Sequence, residues 1–131
     1  MKRINTICIV EDDPMQVFII TKMIEMTEMV ENTMVFNNGK EAYNKLADIV
    51  LAGEKLPEII LLDLNMPIWD GWQFLDEFTK IPISNTVIIY ILTSSNDPAD
   101  LKRAEAYNLS KNYLVKPIPV EQLKAVLAEI E

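Results

Sequence analysis

Residues 87–92 read VIIYIL and residues 59–62 read IILL, with no polar position in either run. A strand that faces water on one side alternates apolar and polar residues, whereas a strand covered on both sides does not. These runs are as expected for strands in a sheet with helices on both faces. The rest of the chain supplies the helices. Apolar stretches of strand length alternate with longer helical patterns five times, without a long linker, low-complexity run or internal repeat. Regular βα repetition makes a mostly parallel sheet. The expected class is α/β, with five parallel strands.

The elements can be placed from local chemistry. Ile7 to Val10 reads as a first strand. Pro14 opens a helix, where its missing N–H is harmless, with Val17, Ile20, Met23 and Ile24 on the buried side. Val30 to Phe36 is a weaker strand, broken in pattern by Glu31 and Asn32. Asn38-Gly39 is a turn into a helix carrying Ala42, Leu46, Ile49 and Val50, which Gly53 closes. Ile59 to Leu62 follows as the third strand. Asp70-Gly71 turns into a helix with Phe74, Leu75 and Phe78, and Pro82 blocks its extension. Val87 to Leu92 is the fourth strand. Asp97-Pro98 starts a helix carrying Leu101, Ala104 and Leu109. Residues 112–115 form a short last strand, and Val120, Leu123, Leu127 and Ile130 mark the last helix.

Composition excludes several functions. The 131 residues suit one domain, 1–131, with one modest core. There are 20 acidic and 12 basic residues, a net charge of -8, and no basic block of five or more. A surface that tracks a nucleic-acid backbone is not expected, and neither is direct DNA binding. Histidine is absent, which removes His-based acid–base catalysis and His-rich zinc sites. The single cysteine, Cys8, sits in an apolar run and reads as a small buried hydrophobe. No segment approaches eighteen apolar residues and the N-terminus lacks a signal-peptide pattern, so the expectation is a cytoplasmic protein without a membrane span.

The strand ends carry the chemistry. The first strand runs into Glu11-Asp12-Asp13, the third into Asp63, the fourth into Thr93-Ser94-Ser95 and the fifth into Lys116-Pro117. In an open parallel sheet, ligands bind at the carboxyl ends of the strands. Any one of these residues alone reads as a cap, a turn or a solvated charge. Together they form a set. Carboxylates gathered in one cleft repel, so a raised pKa or a bound cation is expected. Oxygen-only donors without histidine or sulfur point to a hard cation, Mg²⁺ first. A lysine and a hydroxyl suit developing negative oxygens, and a carboxylate can be the nucleophile towards a phosphoryl group. Phosphatases of the haloacid-dehalogenase type also place an aspartate after an apolar strand, but there a second acid follows two residues on. Here that position is Asn65.

The ordered set VEDDP at 10–14, LLDLNMP at 61–67, DG at 70–71, ILTSS at 91–95 and YLVKPI at 113–118 resembles the receiver domain of bacterial two-component response regulators. The resemblance covers essentially the whole chain, with a somewhat long segment before the third strand. It implies a flavodoxin-like (βα)₅ fold with strand order 2-1-3-4-5. It also implies that Asp63 accepts a phosphoryl group from a partner phosphohistidine. Glu11 and Asp12 would hold Mg²⁺, with Mn²⁺ as a substitute, together with Asp63 and the backbone carbonyl of Asn65. Lys116 would pair with Asp63 before transfer and with the phosphoryl afterwards. Thr93 would be the switch hydroxyl, with the small Ser94 beside it. Pro117 would follow a cis peptide bond, and Tyr113 would change rotamer with Thr93. Asn65 and Ser95 would tune dephosphorylation. Asp13 reads as local structure. Trp69 and Trp72 flank the Asp70-Gly71 turn, one suited to the rim of the site and Trp72 equally suited to packing.

The implied partners are a sensor histidine kinase or a histidine phosphotransfer protein, selected on the first helix. A downstream protein would dock on the face made by the fourth helix, fifth strand and fifth helix. No metabolic activity is implied beyond self-catalysed transfer to Asp63 and slow autodephosphorylation. The chain reads as a stand-alone receiver. The alternative is a receiver-fold binding module that works without phosphorylation.

Overall fold

The structure is a computed structural model, and it describes residues 4–83 and 86–129. Five parallel strands form one sheet: β1 (Ile4–Val10), β2 (Val30–Phe36), β3 (Ile59–Leu62), β4 (Ile88–Thr93) and β5 (Tyr113–Val115). Their order across the sheet is β2-β1-β3-β4-β5, as expected. The helices are α1 (Pro14–Thr27), α2 (Gly39–Leu51), α3 (Gly71–Phe78), α4 (Pro98–Ala106) and α5 (Val120–Ala128).

Side chains along a strand point alternately to the two faces, and that alternation divides the core in two. Ile7, Ile9, Ile59, Leu61, Tyr90 and Leu92 face α1 and α5, meeting Ile20, Ile24, Leu123 and Leu127. Cys8, Val10, Ile60, Leu62 and Ile91 face the other way, towards Leu46 of α2, Phe74 and Leu75 of α3, and Ala104 of α4. All four residues of β3 are buried. Burying each such side chain contributes roughly 1.5–3 kcal/mol relative to exposure. This explains why the run shows no alternation.

Caps define the helix starts. Asp13, Asn38, Asp70 and Asp97 each accept a hydrogen bond from a first-turn N–H of the helix that follows. Gly53 ends α2 at φ 71°, with its N–H bonded to Val50 and that of Glu54 to Ile49, a Schellman arrangement.

Several boundaries differ from the sequence reading. β1 begins at Ile4 because it pairs with Val30 at the start of β2. β2 runs unbroken through Glu31 and Asn32. It is an edge strand, so those side chains are exposed and need no apolar pattern. β4 begins at Ile88 rather than Val87, and a short 3₁₀ turn at Ser110–Asn112 takes the place of a strand at Asn112. α4 stops at Ala106. Leu109 lies beyond a left-handed Asn108, and its N–H caps the Ala104 carbonyl at 2.9 Å. Leu101 is 40% exposed, and Ala104 is the only buried side chain of α4. Ile130, expected on the last helix, lies outside the described residues.

Candidate phosphoacceptor site

The sheet places the candidate residues because its hydrogen bonding continues one residue past the strands. The N–H of Glu11 bonds to Phe36 at 3.0 Å, that of Asp63 to Val10 at 3.0 Å, and that of Lys116 to Thr93 at 2.8 Å. The backbones of Glu11, Asp63 and Lys116 are thereby fixed to adjacent strands. Their side chains enter the cleft at the carboxyl edge, as expected for an open parallel sheet. A cavity of about 330 Å³ opens there, lined by Glu11, Asp12, Asp13, Asp63, Asn65, Ser94 and Lys116, with Gln16 of α1.

Asp63 is buried, and its Oδ1 accepts the Leu64 N–H at 2.8 Å, which orients the carboxylate. Carboxylate oxygens of Glu11, Asp12 and Asp63 lie within 4.8 Å of one another. That donor set fits a hard divalent cation, which needs several oxygen ligands and tolerates water in the rest. Asp13 lines the cavity too, but its Oδ1 accepts the Met15 N–H at 3.0 Å and caps α1. Asn65 has an exposed side chain.

Lys116 is half-buried rather than freely solvated, and it pairs with Asp63 as the resemblance implies but lies closer to Glu11. Its Nζ is 2.6 Å from Glu11 Oε1 and 3.9 Å from Asp63 Oδ2. The ammonium sits on Glu11 first and on Asp63 second. Burial pushes the Glu11 carboxyl above the usual carboxylate range. The hydrogen bond from Lys116 pulls it down, and the charge of Asp63 adds to the rise. The Lys116-Pro117 peptide bond is cis, as the resemblance implies.

Thr93 ends β4 with its side chain fully buried, and its Oγ1 accepts the Ser95 N–H at 3.3 Å. The Tyr113 hydroxyl, half-buried on β5, donates to the Ser95 carbonyl at 2.8 Å. Ser94 reaches the cavity, whereas Ser95 does not line it: its hydroxyl donates to Asp100 Oδ2 at 2.7 Å. Trp72 is buried and its indole N–H donates to Asp100 Oδ1 at 3.3 Å. Trp69 is half-buried against Tyr43, with ring centroids 5.3 Å apart.

Sequence reading missed three contributors. Gln16 lines the cavity from the first turn of α1, and only the helix register could have indicated it. Asp100 has no local signal, because its role depends on contacts from α3 and the β4–α4 loop. In the sequence Gly71 carries only a turn signal. A Cβ there would lie 2.5 Å from the Asp63 carbonyl oxygen, so the glycine lets α3 start directly against Asp63.

Comparison with known proteins agrees with this geometry. The family model described as "Response regulator receiver domain" matches residues 7–128. A two component response regulator from Cytophaga hutchinsonii has a similar crystal structure, with a TM-score of 0.86, 34% identity and 98% of each chain covered. The "Probable methanogenesis regulatory protein FilR2" of Methanothrix harundinacea is 30% identical over 95% of this chain and 80% of its own length. The "Probable C4-dicarboxylate response regulator DctR" of Halalkalibacterium halodurans is 31% identical over 95% of this chain, which spans 50% of that protein. The chain belongs to the response regulator receiver domain family of two-component systems.

Proposed function

We propose that this chain is a phosphoacceptor that takes a phosphoryl group from a partner phosphohistidine onto Asp63. The observation that carries the reading is the position of Asp63: at a strand end, oriented by Leu64, with Glu11 and Asp12 within 4.8 Å and the Lys116 ammonium at 3.9 Å. In the reaction a carboxylate oxygen of Asp63 attacks phosphorus. The P–N bond breaks and its electron pair returns to the imidazole, leaving an acyl phosphate. Phosphoryl transfer needs mainly positioning and charge neutralisation, and the site is built for both. Mg²⁺ held by Glu11, Asp12, Asp63 and the Asn65 carbonyl would neutralise charge on the transferring oxygens. Lys116 then pairs with the new phosphoryl, and the Thr93 hydroxyl donates to one of its oxygens.

The phosphodonor is a histidine kinase or a histidine phosphotransfer protein, and α1 is its docking side. Phe18 and Met15 stand mostly exposed there. An apolar cavity of about 260 Å³, lined by Ile19, Ile20, Met23, Pro117 and Ile118, adjoins the site. The output is a protein docked on the α4, β5 and α5 face, in the cytoplasm. Among the described residues no helix is long and apolar enough to cross a membrane.

Acetyl phosphate with Mg²⁺ should add one phosphoryl mass to the wild type and none to Asp63→Asn. A wild type that stays unmodified by small donors and by a panel of kinases refutes the reading. Equal partner affinity for both proteins would support the phosphorylation-independent binding module instead.

A further inference from the structure

Ser95 uses every polar group it has. Its N–H donates to Thr93 Oγ1 at 3.3 Å, and its carbonyl accepts from the Tyr113 hydroxyl at 2.8 Å. Its hydroxyl donates to Asp100 Oδ2 at 2.7 Å and accepts the Asp97 N–H at 3.3 Å. One residue thus joins the expected switch pair to the start of α4. The other oxygen of Asp100 takes the indole N–H of Trp72, on α3. Trp72 in turn stacks on Tyr107, with ring centroids 5.8 Å apart, and the Arg103 guanidinium lies 5.0 Å from its ring centre.

These polar contacts matter because α4 has little else. Of its nine residues only Ala104 is buried. A helix with so small an apolar footing takes its position from its remaining contacts, and a hydrogen bond to a carboxylate is among the stronger ones available. We propose that Asp100 is a positioning residue of the phosphoacceptor site. It locks the β4–α4 loop to α3 and holds Thr93, through Ser95, in the arrangement of the unmodified protein.

The proposal rests on the phosphoacceptor reading and adds a regulatory element to it. When the Thr93 hydroxyl turns to a phosphoryl oxygen, the Ser95 N–H loses its acceptor. That half-buried N–H then needs a new partner, and the movement of the Ser95 backbone that supplies one pulls its hydroxyl from Asp100. Asp100 opposes that movement. Removing it shifts the population towards the phosphorylation-competent arrangement before any phosphoryl arrives.

The test uses the full chain with Trp69→Phe, which leaves Trp72 as its tryptophan, since the sequence holds two. Emission and intact mass are followed during acetyl phosphate and Mg²⁺ treatment. In the Asp100-containing protein, Trp72 emission should change as the phosphoryl mass appears. With Asp100→Ala the unmodified protein should already show most of that change, and phosphorylation should be faster by about tenfold, within the usual range of coupling. Ser95→Ala cuts the same link at its other end and should act in the same direction. Asp100→Asn keeps an acceptor for the indole and should restore most of the original spectrum. If Asp100→Ala and Ser95→Ala both leave spectrum and rate within twofold of the parent, Asp100 has no positioning role. Mass gain without any change at Trp72 also overturns the proposal while sparing the phosphoacceptor reading. Absence of mass gain in the parent overturns both.

Discussion

Replacing Lys116 with methionine keeps most of the side-chain volume and removes the cation that faces Glu11 and Asp63. The side chains concerned are only 11%, 3% and 9% exposed for Lys116, Glu11 and Asp63, so solvent screens them weakly. At an effective dielectric of about 20, unit charges at the observed 2.6 and 3.9 Å attract by about 6 and about 4 kcal/mol. Much of that attraction offsets the desolvation of the ammonium. The expected net loss on breaking a buried pair from one side is about 3–5 kcal/mol. The raised pKa of Glu11 sets the pH dependence. A carboxyl whose folded pKa lies above its unfolded value opposes folding when ionised, and the opposition fades as pH falls through the folded value. Loss of Lys116 enlarges the opposition. Urea unfolding in a chelator should therefore show the widest gap between Lys116→Met and wild type near neutrality, narrowing on acidification. Added Mg²⁺ should raise the melting temperature of the variant more than that of the wild type. A gap under about 1 kcal/mol near neutrality, the size of an ordinary exposed pair, or one that does not shrink in acid, would refute the reasoning.

Gly71→Ala should destabilise by about 1–3 kcal/mol and, on the proposed function, slow phosphorylation, because the new Cβ meets the Asp63 carbonyl oxygen and the Leu64 Cα, which cannot move without displacing Asp63. A thermal melt and a phosphorylation time course read the two effects. Ile68 is mostly exposed at φ 68°, a region that β-branched residues avoid, so Ile68→Gly should stabilise by about 1 kcal/mol in urea unfolding. Cys8 is fully buried and its thiol is pushed up to about 12 by burial. Only about 10⁻⁴ of it is thiolate near pH 8, so its labelling rate should track global unfolding, and rapid labelling of native protein would contradict the packing described.

The broad fold was legible because burial leaves its mark on residue type. IILL and most of VIIYIL lack the alternation of a half-exposed strand, and the helices between them followed from caps and periodicity. Edges were less legible. β2 tolerates Glu31 and Asn32 because an edge strand needs an apolar stripe on one side only. Leu109 looked helical because a residue just past a Schellman turn packs like a helical one. That Glu11, Asp12, Asp63 and Lys116 would share one cavity was also legible, since all four fall at strand ends.

The sequence by itself determined that the strands alternate with helices in a parallel sheet, and that Glu11, Asp12, Asp63 and Lys116 stand where that sheet opens its cleft. A local pattern carries that information, because burial and capping act on each residue where it stands. Only the tertiary structure decided how those groups pair. Lys116 rests on Glu11, 105 residues away, more closely than on Asp63. Ser95 turns from the cavity to Asp100, and Trp72 reaches Asp100 from another helix. Such choices depend on distances between distant segments and on competition among several partners for one polar atom, and no local pattern encodes either.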